Sequence, residues 1–309
     1  MRAPTIRRRS VKIMKVRFGF TCRGTSDIRL EDFDSLLKDL EKFGFDSIWL
    51  PETMLGGSFD PLIGLSYASA RTTKLKIGTH IILPGRSPVR VARELAQLDR
   101  LSGGRLLLIG VLGLNQGPEL LAQNVEKEQR GGLLDELLPL LRRLWTEDIV
   151  DHDGMYFRLQ EAKIDPKPIQ EPLEVWLGGQ LPRALRRVGQ IGDGYIPGMM
   201  TANQAAEKRI QVIEAAENAG RAMDQEHFGA NLSYSWRPLP EVVKNNLADR
   251  FPGVDPELLI PSSRQSLDEM IDAWIEAGYS KFLMRPVLPP DDWSEELENL
   301  AERVLSKQT

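Results

Sequence analysis

Residues Leu75 to Gly113 read LKIGTHIILPGRSPVRVARELAQLDRLSGGRLLLIGVLG, and the fold turns on them. Apolar residues first alternate and then run unbroken (Leu75, Ile77, Ile81, Ile82, Leu83). After Pro84-Gly85 the pattern becomes helical from Ser87 to Leu101. Val91, Leu95, Leu98 and Leu101 recur three and four residues apart, which places them on one helix face. Ser102-Gly103-Gly104 ends that helix, and Leu106 to Val111 is a second apolar run, too short for an ordinary helix. Two strands buried on both faces and joined by a helix make a βαβ unit, which requires a parallel sheet covered by helices.

The same grammar extends in both directions. Upstream, a strand at Val16 to Phe20 precedes a helix at Leu30 to Phe43, with Phe33, Leu36, Leu37, Leu40 and Phe43 on one side and Gly44 as its cap. A strand at Ser47 to Leu50 and a helix at Pro61 to Arg71 follow. Downstream lie a helix at Leu133 to Trp145, expected to kink at Pro139, and an inserted hairpin at Ile149 to Leu159 centred on Asp153-Gly154. Strands at Leu173 to Leu177, Tyr195-Ile196, Phe228 to Ser235 and Lys281 to Met284 alternate with helices at Leu181 to Ile191, Asn203 to Ala219, Leu267 to Ala277 and Glu295 to Leu305. Trp236 to Ser263, rich in proline and charge, reads as an active-site insertion. The expectation is an α/β fold, a (β/α)8 TIM barrel with insertions at its C-terminal face, in one domain over residues 15–309. Residues 1–14, MRAPTIRRRSVKIM, are basic without an apolar block and read as a disordered leader, ahead of an anionic-surface contact or a targeting peptide.

Composition narrows the function. A net charge of −4 offers no nucleic-acid surface, and no apolar run approaches the ~20 residues of a membrane span. The only cysteine, Cys22, excludes an internal disulfide. With His80, His152 and His227 far apart, no metal site is expected, and a reducing cytoplasm suits the chain.

Barrels place their chemistry where strands end. Gly178-Gly179 before a basic helix is either a phosphate cradle or a tight turn. His80, in an otherwise apolar strand, is either a satisfied core histidine or a mouth residue able to pass a proton near neutral pH. Glu52 is either a proton-transfer carboxylate or a partner for a nearby arginine, and Arg285 either an anion clamp or a solvated surface charge. Met199, Met200, Tyr234 and Trp236 suit an apolar ligand or plain core packing.

The segment IGTHIILPGRSPVRVARELAQLDRLSGGRLLLIGVLG, with FGFDSIWLPET before it and PKPIQEPLEVWLGGQLPRALRRVGQIGDGYIP and EAGYSKFLMRP after it, resembles the bacterial-luciferase-like superfamily of flavin- and deazaflavin-dependent oxidoreductases. The resemblance runs from Val16 to Pro286. It implies an enzyme that uses deazaflavin F420 or FMN for hydride transfer to, or monooxygenation of, a small organic substrate, and it implies a homodimer. It assigns Thr79, His80 and Ile81 to a strand-three bulge behind the cofactor ring, often with a non-prolyl cis peptide. Gly110, Gly113 and Asn115 fall to the loop beside the ring, and Gly178, Gly179 and Gln180 to the phosphate loop. Glu52 and His80 become the catalytic candidates. Two departures stand out: Thr53 replaces a histidine common in relatives, and Leu112 and Leu114 stand where the GVGxG pattern has small residues, which would narrow the cofactor groove. These departures motivate an alternative, a catalytically silent or cofactor-free barrel that binds a ligand or partner. A sugar-phosphate isomerase or aldolase lacks its strand-end lysine.

Overall fold

Parallel β/α units build the molecule from its first described residues onward. The computed structural model describes residues 14–22, 29–56, 59–115 and 117–309, so the expected leader lies outside them except for Met14. The first half comprises β1 (Arg17–Thr21), α1 (Leu30–Phe43), β2 (Ser47–Trp49), α2 (Pro61–Arg71), β3 (Lys76–Ile82), α3 (Pro88–Leu101) and β4 (Leu106–Val111). Then come α4 (Gly117–Ala122), α5 (Arg130–Thr146) and a separate antiparallel hairpin of β5 (Val150–Asp153) and β6 (Arg158–Ala162). The chain ends with β7 (Val175–Gly178), α6 (Pro182–Ile191), β8 (Gly194–Ile196), α7 (Ala202–Asn218), β9 (Gly229–Tyr234), α8 (Glu241–Arg250), α9 (Arg264–Glu276), β10 (Lys281–Pro286) and α10 (Trp293–Val304).

Local chemistry explains the boundaries. Gly44 caps α1 at φ 91°, and the Asp60 carboxylate caps α2 by accepting from the amides of Leu62 and Ile63. The helix α5 continues through Pro139, so the expected kink does not break it. The carbonyl that proline leaves unpaired is that of Asp135, an exposed position where water can serve it. In the hairpin, the Gly154 amide donates to the Phe157 carbonyl at 2.9 Å.

Eight strands pair in parallel in the order β8-β7-β4-β3-β2-β1-β10-β9. A bridge between Tyr195 and Phe228, with the Tyr195 amide donating to the His227 carbonyl at 2.9 Å, joins the two outermost strands into a nearly closed barrel. The wall separates two cores. The outer one lies between strands and helices and includes Phe18, Phe20, Leu36, Leu40, Ile77, Ile81, Leu95 and Leu141. The inner one is made of Trp49, Ile109, Ile196 and Leu283, with Leu107, Val111 and Trp176 against it. Its two indoles need glycine opposite them: a methyl on Gly78 would sit 2.5 Å from Trp49, and one on Gly194 2.4 Å from Trp176.

The N-terminal end of the barrel is locked by charge. Asp46 accepts from Lys281 at 2.7 Å and Lys76 at 3.0 Å. Nearby, the Arg105 guanidinium donates to carbonyls of Ser69, Thr72, Leu75 and Ser102, tying the ends of α2 and α3 to the starts of β3 and β4. At the opposite end the insertion containing α8 forms a roof. Its Leu239, Leu247, Leu259 and Ile260 pack on Met199 and Val287, which follow β8 and β10.

Candidate active site

A single polar residue locates the open part of the barrel. Asn231 sits mid-strand in β9, paired with buried Leu283 of β10, yet it is exposed. The interior is therefore filled only up to the layer of Trp49, Ile109 and Leu283, and above that layer lies a well. His80 faces the same space: its ring centroid is 5.5 Å from that of Trp49, and its Nε2 is 3.4 Å from Asn231 Nδ2. Ser233 and Arg285 stand higher on the wall, with an Arg285 guanidinium nitrogen donating to Ser233 Oγ at 3.0 Å.

The paired glycines occupy the same rim. Along the ladder Ile81 pairs with Gly110, Gly110 with Leu177, and Gly178 with Ile196, so the ends of β3, β4, β7 and β8 are level. Gly179 takes φ 133°, and a methyl on it would lie 2.5 Å from the Ala184 Cβ in the first turn of α6. No side chain caps that helix, whose N-cap is Leu181. Pro182 has no N–H and the Ala184 amide donates to the Leu181 carbonyl at 2.8 Å, so in the first turn the Arg183 amide is the one left for a ligand. Gln180 is exposed and ties this loop to the roof by donating to the Met199 carbonyl at 3.2 Å.

Other predicted residues are placed differently. Thr79 and Ile81 are fully buried, with Ile81 in the outer core, so only their backbone borders the well. Gly110 also turns toward the helices: a methyl there would meet Leu83 at 2.8 Å. β3 and β4 pair without interruption from Ile77 to Ile82, so the expected bulge is absent from this strand. Among the described residues the cis bonds are Asp165-Pro166 and Glu171-Pro172, both prolyl, and those flanking His80 are trans. The regular ladder explains the difference, because a bulge needs an extra residue that no partner on β4 opposes.

Glu52 takes the partner role. One carboxylate oxygen accepts from the Ile82 amide and the other from Arg86, which also donates to the Ile82 carbonyl. Burial pushes the Glu52 carboxyl above the usual range, against the pull of Arg86 and the Ile82 amide. Thr53 turns back onto its own loop, donating to the Gly56 carbonyl at 2.6 Å. After β4, Gly113 (φ 77°) lies against Gln123, and buried Arg130 gathers the carbonyls of Leu112, Gly113 and Leu114. Leu112 packs on the outer core while Leu114 and Asn115 are exposed.

A family model described as luciferase-like monooxygenase matches residues 14–280. The chain belongs to the luciferase-like monooxygenase family. Among its relatives is an F420-dependent glucose-6-phosphate dehydrogenase of Amycolatopsis mediterranei, 26% identical over 310 residues that cover 86% of this chain and 91% of the relative. In fold, the protein is similar to an F420-dependent secondary alcohol dehydrogenase in complex with an F420-acetone adduct (TM-score 0.78, 20% identity, 96% of this chain and 100% of that one). It is similar as well to the oxygenating constituent of 3,6-diketocamphane monooxygenase from Pseudomonas putida in complex with FMN (TM-score 0.74, 17% identity, 96% and 99%). For this luciferase-like chain, residue-level reading missed Trp49 as the floor of the well and Asn231 and Ser233 as its wall. In GANLSY, Asn231 and Ser233 alternate with Ala230 and Leu232, and that period of two was the available signal.

Proposed function

We propose that the protein is an oxidoreductase that binds deazaflavin F420 in the barrel mouth and exchanges a hydride with a small organic substrate there. One observation carries this reading: the open well above the His80–Asn231 contact shares its rim with the Gly178-Gly179 turn at a helix start that no side chain caps. The F420-dependent relative points to the same cofactor. The residues fit such a group. The backbone of Gly178-Gly179 and the Arg183 amide would hold its phosphate, at a turn where neither glycine has room for a side chain: a methyl on Gly178 comes within 3.0 Å of the Ile196 carbonyl oxygen and one on Gly179 within 2.5 Å of the Ala184 Cβ. The backbone beside Thr79 and Ile81 would border its ring, with Trp49 beneath excluding water from the barrel axis. When bound, the deazaflavin supplies the site that donates or accepts hydride.

The chain's own part is placement and proton handling. His80 Nε2 is the candidate to take or return a substrate proton, and Asn231 and Ser233 orient polar substrate atoms around it. Glu52 acts as a positioning residue that fixes the end of β3 and the loop carrying Arg86. A second reading, FMN-dependent monooxygenation, draws on the likeness to the FMN-bound camphane enzyme. Turnover separates the two. Oxidised F420 should lose its visible absorbance when a secondary alcohol or sugar phosphate is added anaerobically. Oxygen uptake with reduced FMN, and no F420 turnover, would favour the second reading.

A further inference from the structure

A cleft of 470 Å³ opens beside the barrel mouth, between the ends of β9 and β10 and the start of α10. That volume falls within the range of small-molecule sites. None of His80, Asn231, Ser233 or Arg285 lines it, so it is separate from the well. Its floor is Glu296, which is buried, and Oε1 of that carboxyl accepts from both the Tyr234 hydroxyl (2.5 Å) and the Trp236 indole (2.8 Å). Among the described residues Oε2 accepts no hydrogen bond.

The surroundings leave that carboxylate without a counter-charge. Arg264 donates from one guanidinium nitrogen to the Asn299 side-chain oxygen, and the groups acting on Glu296 are Tyr234, Trp236 and the like-charged Glu295, with no arginine among them. Asp291, Asp292, Glu295 and Glu296 face only Arg237 and Arg264 across the cleft, an excess of negative charge. Anion binding at the start of α10 is blocked because Asp292 already caps it, accepting from the Ser294 and Glu295 amides. Trp236, Pro289 and Pro290 give the walls an apolar, rigid character. A buried carboxylate keeps its charge only when a cation or several donors compensate it, and here one oxygen is served and the other faces the cavity.

We infer that this cleft is a second binding site, for a small organic ammonium ion whose apolar body lies against Trp236 and the prolines while its charged head meets Glu296 Oε2. Burial raises the Glu296 carboxyl above its ordinary range, more than the bonds from Tyr234 and Trp236 lower it, and an ammonium would offset that penalty.

Calorimetry of the full chain with phenethylamine, 2-phenylethanol and 3-phenylpropionate tests the assignment. Phenethylamine should saturate one site per chain, with the alcohol and the acid binding at least about tenfold more weakly, since each tenfold is about 1.4 kcal/mol of charge recognition. Glu296→Gln keeps an oxygen for Tyr234 and Trp236, so it should retain the melting temperature yet lose about tenfold in amine affinity. Asn231→Leu, in the barrel well, should leave amine binding unchanged. No saturable uptake of the amine, equal affinity for the alcohol, or full binding by Glu296→Gln overturns the site. An Asn231→Leu effect as large as that of Glu296→Gln places the amine in the well and overturns it too. Should Glu296→Gln not fold, the comparison of amine, alcohol and acid on the native chain decides alone.

Discussion

Glu52, in the loop after β2, and His80, in β3, are held in different ways at the rim. Both oxygens of Glu52 are engaged by Arg86 and the Ile82 amide, whereas the His80 ring borders the well. His80→Ala should therefore lower kcat by about a hundredfold or more while cofactor affinity stays within about threefold. An unchanged kcat would remove His80 from the chemistry. At the other end of the barrel, Lys281 and Lys76 together hold the Asp46 carboxyl down at about 2 despite its burial, and Lys281 is itself lowered by burial. The folded value lies below the unfolded one, so this stabilisation is complete above about pH 4 and fades as pH falls toward 2. Asp46→Asn should be less stable near neutral pH, and the gap from the native chain should shrink by about 2 kcal/mol between about pH 5 and pH 2. Denaturant melts across that window showing a constant gap would contradict the assignment. Such pairs were invisible in the sequence because Asp46 and Lys281 lie 235 positions apart, and no periodicity links them.

Elements were read more easily than contacts. The helices α1 and α2 fall where periodicity and the Pro61 start placed them, because capping and an apolar stripe are local signals. Parallel strands hide which side faces inward, since both faces are buried and alternation is lost. That is why Trp49 escaped notice while the run Leu106 to Val111 did not; in β9 the alternation around Asn231 survives and is the signal that marks it. The elements also differ in how firmly they are held. Six residue pairs join β3 to β4, whereas β8 meets β9 through the one bridge at Tyr195 and Phe228. Native-state hydrogen exchange should show amides of β3 and β4 among the slowest and those of the β8–β9 seam opening sooner. Uniform protection around the barrel would mean that the seam is closed by more than this bridge. Filling the interior should be costly as well: Gly194→Ala puts a methyl into the Trp176 ring, and a loss of about 1 to 3 kcal/mol is expected from denaturant unfolding.

At the scale of the whole molecule, a closed ladder makes the distant segments converge. The glycine pair, His80 and the roof of α8 come from well-separated parts of the chain, yet the parallel register brings the strand ends to one level and the roof packs on two of the loops that leave it. This convergence was legible beforehand because strand ends in such barrels gather on one face. The bulge at His80 was not, since it rested on resemblance while this strand's own pairing is regular. Thr53 turns onto its own loop, Leu112 packs on the outer core and Leu114 is exposed on the loop after β4. The most direct measurement is a fluorescence titration of F420, with FMN in parallel, into the native chain and into folded Gly179→Asp. A carboxylate beside the cradle should repel a phosphate, so the account predicts saturable quenching of F420 by the native chain and an affinity at least about tenfold weaker in the variant. No saturable binding of either cofactor, or equal affinity in the two proteins, would contradict it.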